Sequence, residues 1–128
     1  MIINIPISLG ELIDKISILH IKKKKIEDAE KQKLADNELT LLEEILKNVL
    51  GNDKDIKEYL NKLITLNTKL WIIEDNVREC ESQKKFDKDF IELARSVYFT
   101  NDERSKIKLE INEKFGSQII EVKSHKKY

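Results

Sequence analysis

The chain reads as a mainly α protein, a bundle of four to five helices, on three observations. Pro occurs once and Gly three times in 128 residues. Apolar residues recur mostly at spacings of three and four, and capping residues stand where the apolar stripes begin. A chain of this length buries one core, so residues 1–128 are expected to form a single helical domain. No internal repeat or low-complexity linker divides it.

Ser8 followed by Glu11 forms a capping box just after Pro6, and the stripe Leu9, Leu12, Ile13, Ile16, Leu19, Ile26 predicts a first helix over 9–33. Asp36 or Asn37 can cap a second helix over 37–50, whose face is Leu39, Leu42, Ile45, Leu46 and Val49, with Gly51 as a left-handed stop. Asp53 or Asp55 opens the third helix, where Ile56, Leu60, Leu63, Leu66, Leu70, Ile73 and Val77 hold one stripe to about Ser82. Ser82 to Lys85 is a polar loop, after which Asp87 can cap a helix with its face at Phe90, Leu93, Ala94 and Val97.

At Thr100 two readings stay open. Thr100 with Glu103 is a second capping box, which would begin a separate helix over 101–115; an unbroken helix over 88–115 fits the spacing equally. Gly116 ends either one. The termini differ in kind: Ile2 to Ile7 and Gln118 to Lys123 are rich in Ile and Val with partial alternation, so they can pair as a two-stranded ribbon packed on the helices.

Basic and acidic residues balance at 24 each, which removes the global field that draws a protein to nucleic acid or an anionic membrane. Neither is expected as a partner. Cys80 is the only cysteine, so there is no intramolecular disulfide and no Cys/His zinc cluster, in keeping with a reducing, cytoplasmic setting. Nothing approaches the roughly 18 consecutive apolar residues of a membrane span.

Motifs of catalysis are absent: no Gly-rich phosphate loop, HExxH, nucleophile elbow, EF-hand loop or CxxC occurs. His20 sits beside the first apolar stripe, where a structural role outweighs catalysis. The basic run Lys22 to Lys25 is followed at once by Glu27, Asp28 and Glu30, and reads as a solvated helix face. The ExxD of Glu11 and Asp14 matches half of the metal signature of helical nucleotide pyrophosphatases. A divalent metal therefore lacks a complete motif, since Glu43 and Glu44 are followed by Lys47 where the second glutamate of a partner ExxE should stand.

The informative residues are polar ones on or beside apolar stripes. Lysine outnumbers arginine 21 to 3, which singles out Arg78, Arg95 and Arg104, because arginine offers a planar fork of donors that lysine lacks. In an unbroken fourth helix, Asn101, Arg104 and Lys108 continue the face of Ala94 and Val97. Glu74, Asp75 and Arg78 stand beside Trp71, and Glu11, Asp14 and Lys15 are counterparts on the first helix. Buried charges are tolerated only when paired, so these groups either neutralise one another or await a ligand.

The segments IPISLGELIDKISILHIKKKKI, LWIIEDNVRECE and FIELARSVYFTNDERSKIKLEINEKFGSQIIEVKS together resemble an uncharacterised family, a domain of unknown function, of small helical proteins from bacteria and bacteriophages. The resemblance covers about two-thirds of the chain and implies a single helical domain without implying a reaction. Its blocks contain Tyr98, Arg95 and Asp102 besides the polar residues above. The family usually carries an acidic residue where this chain has His20. A fainter likeness of the first helix to that of chorismate mutases fails at the required arginines.

Two functional expectations follow. In one, Arg78, Arg104 and Lys108 face a small anionic ligand, phosphorylated or carboxylated, in a pocket shaped by Glu74, Asp75, Asn101 and Asp102, which would suit an enzyme or a binding protein. In the other, amphipathic helices pair with a second copy as a homodimer or with another protein.

Overall fold

A computed structural model describes all residues, Met1–Tyr128. Four helices follow one another: α1 (Leu9–Lys25), α2 (Ala29–Leu50), α3 (Lys54–Ser82) and α4 (Lys88–Lys114). None is long and apolar enough to cross a membrane.

The caps explain most boundaries. Ser8 accepts the Glu11 N–H at 3.1 Å, Asp53 accepts from Asp55 and Ile56, and Asp87 accepts from Phe90. Gly51 and Gly116 adopt left-handed φ values of 64° and 66°. After α4 the Ser117 N–H returns to the Asn112 carbonyl, closing the helix end as a Schellman turn.

Three expectations change. The first helix stops at Lys25, not residue 33, because Asp28 accepts the Lys31 N–H at 2.9 Å and starts α2 eight residues earlier than expected. Neither Gly nor Pro marks this break; Gln32 Nε2 also donates to the Lys23 carbonyl and ties the two ends together. At Thr100 the helix is unbroken, and Thr100 is 1 % exposed inside it rather than capping a new one. The terminal ribbon is absent. No backbone hydrogen bond joins residues 1–7 to 118–128; the C-terminal tail is instead held to α4 by side chains.

α1 is the hub, packing against all three other helices, whereas the α2 backbone approaches α1 alone. On one side of α1, Leu12, Ile16 and Leu19 meet Ala35 and Leu39 of α2. On the other, Ile13 meets Ile56 and Leu63 of α3 and Ile111 of α4. Each fully buried Ile or Leu contributes about 1.5–3 kcal/mol.

At 29 and 27 residues, α3 and α4 are much longer than α1 at 17. With a rise of about 1.5 Å per residue, α1 covers roughly 25 Å of helices that run about 40 Å. Beyond α1 they continue as a two-helix hairpin, and no residue from Glu74 to Phe99 is buried.

Candidate functional site

Beside the Ile13–Ile111 contact, the seam between α1 and α4 carries a line of buried polar residues, Asp14, Lys108 and Asn112. It is close because Gly10 has no side chain: a Cβ there would lie 2.6 Å from the Lys108 carbonyl oxygen. The Gly10 N–H donates to Asn112 Oδ1 at 2.7 Å and the Leu9 N–H to Ser117 Oγ at 3.1 Å, so α4 and the start of the tail satisfy amides that the first turn of α1 leaves free.

One turn further along, Asp14 is 1 % exposed and surrounded by donors. Arg104 grips it through both Nε, at 3.0 Å from Oδ1, and Nη2, on Oδ2. Asn67 of α3 donates through Nδ2 to Asp14 Oδ1 at 2.8 Å and to Ser17 Oγ at 2.7 Å, and Ser17 donates to the Asp14 carbonyl. No enclosed side-chain polar atom lacks a partner. Hydrogen bonding to Asp14 raises the Arg104 pKa above its ordinary value, against the opposing pull of burial.

Lys108 forms the second knot. Its ammonium lies 2.8 Å from Glu11 and 2.9 Å from Glu121, with Asp14 at 3.9 Å. Burial pushes this ammonium down, but Glu11 and Glu121 outweigh it and leave the pKa above that of a free lysine. Glu121, held by Lys108 and then Lys123, falls below the ordinary glutamate value. Glu11 therefore closes no capping box: its carboxylate reaches across to α4 instead of back to Ser8.

Two clefts meet at Asn101 and Arg104. One, of about 600 Å³, lies between α4 and the tail, with Tyr98, Arg104, Lys108, Lys123, His125 and Lys126 in its wall. Tyr128 closes one side, its ring edge-on to Tyr98 at 5.3 Å and to Phe99 at 5.0 Å. The Tyr128 hydroxyl donates to Asp102, which pushes the phenol up to about 12. The other cleft, of about 380 Å³, opens between α1, α3 and α4 and includes Asn67, Trp71, Glu74 and Asp75.

The predicted residues thus separate into groups. Arg104, Lys108, Asn101, Glu11 and Asp14 come together across the α1–α4 seam; Tyr98 and Asp102 line the larger cleft, and Glu74 and Asp75 the smaller. Arg78 is exposed and lines neither cleft. Lys15 is exposed as well, and Arg95 is engaged locally with Glu92 at 3.0 Å and over the Phe99 ring. His20 bonds Glu43 at 3.0 Å, a link between α1 and α2.

Sequence reasoning missed Ser17, Asn67 and Asn112, and the tail residues Lys123, His125 and Lys126. A signal existed for the first three. Asn67 stands four residues after Leu63, where the stripe calls for an apolar side chain, Ser17 follows Ile16, and Asn112 extends the step of four from Arg104 and Lys108. The tail carries no comparable periodicity. No family model, curated protein sequence or solved structure matches the chain.

Proposed function

We propose that the protein binds a small anionic ligand, phosphorylated or carboxylated, in the cleft between α4 and the C-terminal tail. The observation that carries this reading is the charge of the wall: Lys126 and His125 form no ion pair, and they stand with Arg104, Lys108 and Lys123 around a space that contains a single carboxylate, Asp102. Arg104 and Lys108 are already neutralised by Asp14, Glu11 and Glu121, so they hold the wall in place. Of the tail groups Lys123 is tied to Glu121, so Lys126, with His125 beside it, is the group available to an incoming anion. Tyr98 and Tyr128 supply an apolar flank on which a planar or ring-bearing ligand can rest.

Titration with inorganic phosphate tests this. At ten times Kd, a single site stabilises by about 1.4 kcal/mol, which for a chain of this size raises Tm by roughly 3–6 °C. Lys126→Ala should weaken the response several-fold; an unchanged response in that variant sinks the reading.

A second reading, self-association, is favoured by one observation. α2 touches only α1 by its backbone, and Leu34, Leu41, Ile45 and Val49 remain exposed on it, with Ile45 and Val49 lining an apolar groove together with Ile5 and Ile7. A homodimer through this face requires on the order of 800 Å² buried per partner. Light scattering of the wild type and of Ile45→Glu decides it: a dimer that the substitution dissolves supports the reading, and a monomer at millimolar concentration removes it.

A further inference from the structure

We infer that residues 121–128 form a strap over the larger cleft and that a bound anion holds this strap shut, so that ligand binding and docking of the tail are one equilibrium. The inference rests on the anion reading above and names how that same site is closed.

The tail is tied lightly and at defined points. From Gln118 to Tyr128 every residue is exposed and none makes a backbone–backbone hydrogen bond. The path is fixed at its start, where the Ser117 hydroxyl accepts the Leu9 N–H and donates to the Ile119 carbonyl. Beyond that point two side-chain clasps reach α4. Glu121 meets Lys108 at 2.9 Å, and the Tyr128 hydroxyl donates to Asp102 while its ring lies against Tyr98 and Phe99. A segment held this way opens far more readily than the helices beneath it.

The clasps are also mismatched in length. Asp102 and Lys108 lie six residues apart on the helix, about 9 Å along its axis. Glu121 and Tyr128 are separated by seven residues of extended tail, which reach about 23 Å. The surplus is taken up as a bow, and the cleft of about 600 Å³ is the space between that bow and α4.

An empty, closed strap works against charge. Residues 121–128 carry Lys123, Lys126 and Lys127 against one carboxylate, Glu121. Closure brings Lys126 and His125 to a wall that already holds Arg104 and Lys108, and the only carboxylate of the lining, Asp102, is engaged by Tyr128. Lys126 has no ion pair to offset the approach. A phosphate or carboxylate under the bow reverses the sign, because it attracts cations from both sides and meets Lys126 only when the strap is closed. The converse follows by linkage: loosening the strap weakens the anion by the same factor, since the apparent Kd is the intrinsic one divided by the closed fraction.

Tyr128→Phe tests this. It removes the hydroxyl bond to Asp102 and keeps both the ring and the net charge, at a residue 74 % exposed, so the core is untouched. The closed fraction is read from amide NMR shifts of residues 123–127, with Glu121→Gln/Tyr128→Phe, which lacks both clasps, as the open reference. Tyr128→Phe is expected to open part of the population and to raise the Kd for inorganic phosphate by the matching factor, about two- to ten-fold for one hydrogen bond. Saturating phosphate should return its shifts to the closed position. An unchanged Kd in a variant whose tail has opened overturns the strap and leaves the anion reading standing. Tail shifts that neither variant moves overturn the clasps. Sodium chloride at matched ionic strength that closes the tail as far as phosphate does shows charge screening alone and overturns the coupling. Phosphate that fails to bind the wild type overturns the anion reading, and the coupling falls with it.

Discussion

The two ends of the α3–α4 pair share one sequence logic and have different fates. Both ends carry apolar stripes, carboxylates and arginines at helical spacing. At the end that α1 covers, Arg104 and Lys108 are drawn into a buried network with Asp14, Glu11 and Asn67. At the other end Arg78 and Arg95 stand in solvent, and no residue from Glu74 to Phe99 is buried. Position on the stripe is therefore not enough to bury a charge; a third helix must lie alongside. The short length of α1 decides which arginine becomes structural.

The sharpest way to break this contrast is to remove one partner at each end. Arg104→Ala leaves the Asp14 carboxylate buried without its main cation and should cost about 3–5 kcal/mol in urea denaturation. A loss under about 1 kcal/mol would show that the seam is not the organising contact. Next in size is Gly10→Ala, whose new methyl meets the Lys108 carbonyl backbone. Forcing α1 and α4 apart there should cost about 1–3 kcal/mol. A smaller effect belongs to pH. Glu121 has a depressed folded pKa, so its contribution is complete above the ordinary glutamate value and fades as pH falls through the lowered one. Tail resonances around Glu121 should therefore detach on acidification below about pH 4. Tyr128 behaves in the opposite sense: its raised pKa means that the bond to Asp102 is fully present below about pH 10 and is lost on approaching 12, so one of the three tyrosines should titrate late in the ultraviolet. Smallest of all, Arg78→Ala and Arg95→Ala should each change stability by no more than about 0.5 kcal/mol.

Legibility in the sequence followed the range of the interaction. Local signals served well: Ser8, Asp53 and Asp87 cap the helices they were expected to cap, and Gly51 and Gly116 end theirs. The break at residues 26–28 was hidden because it rests on Asp28 alone, with no glycine or proline beside it. The ribbon failed for a related reason. Isoleucine-rich ends favour strands, but Glu121 and Tyr128 find better partners on α4 than a ladder would provide. Of the polar site, Arg104, Lys108 and Asp14 were visible as charges out of place, whereas Asn67, an uncharged amide, was marked only by its spacing of four from Leu63. Which cation meets which carboxylate depends on where α1 ends, and no spacing within a single helix encodes that.

The α1–α4 seam also has a kinetic consequence. α1 with α2, and α3 with α4, are neighbours along the chain, and each pair can form through contacts of short sequence range. The bonds that join the pairs span far more chain: Asp14 to Arg104 is separated by 90 residues and Gly10 to Asn112 by 102. Asp14 stays hydrated until Arg104 arrives, so the polar part of the seam contributes only after its loop has closed. Closing loops of this length costs entropy before the seam bonds repay it, so folding should be slower than in bundles built from sequential neighbours alone. Substitutions along the seam would then speed unfolding far more than they slow folding.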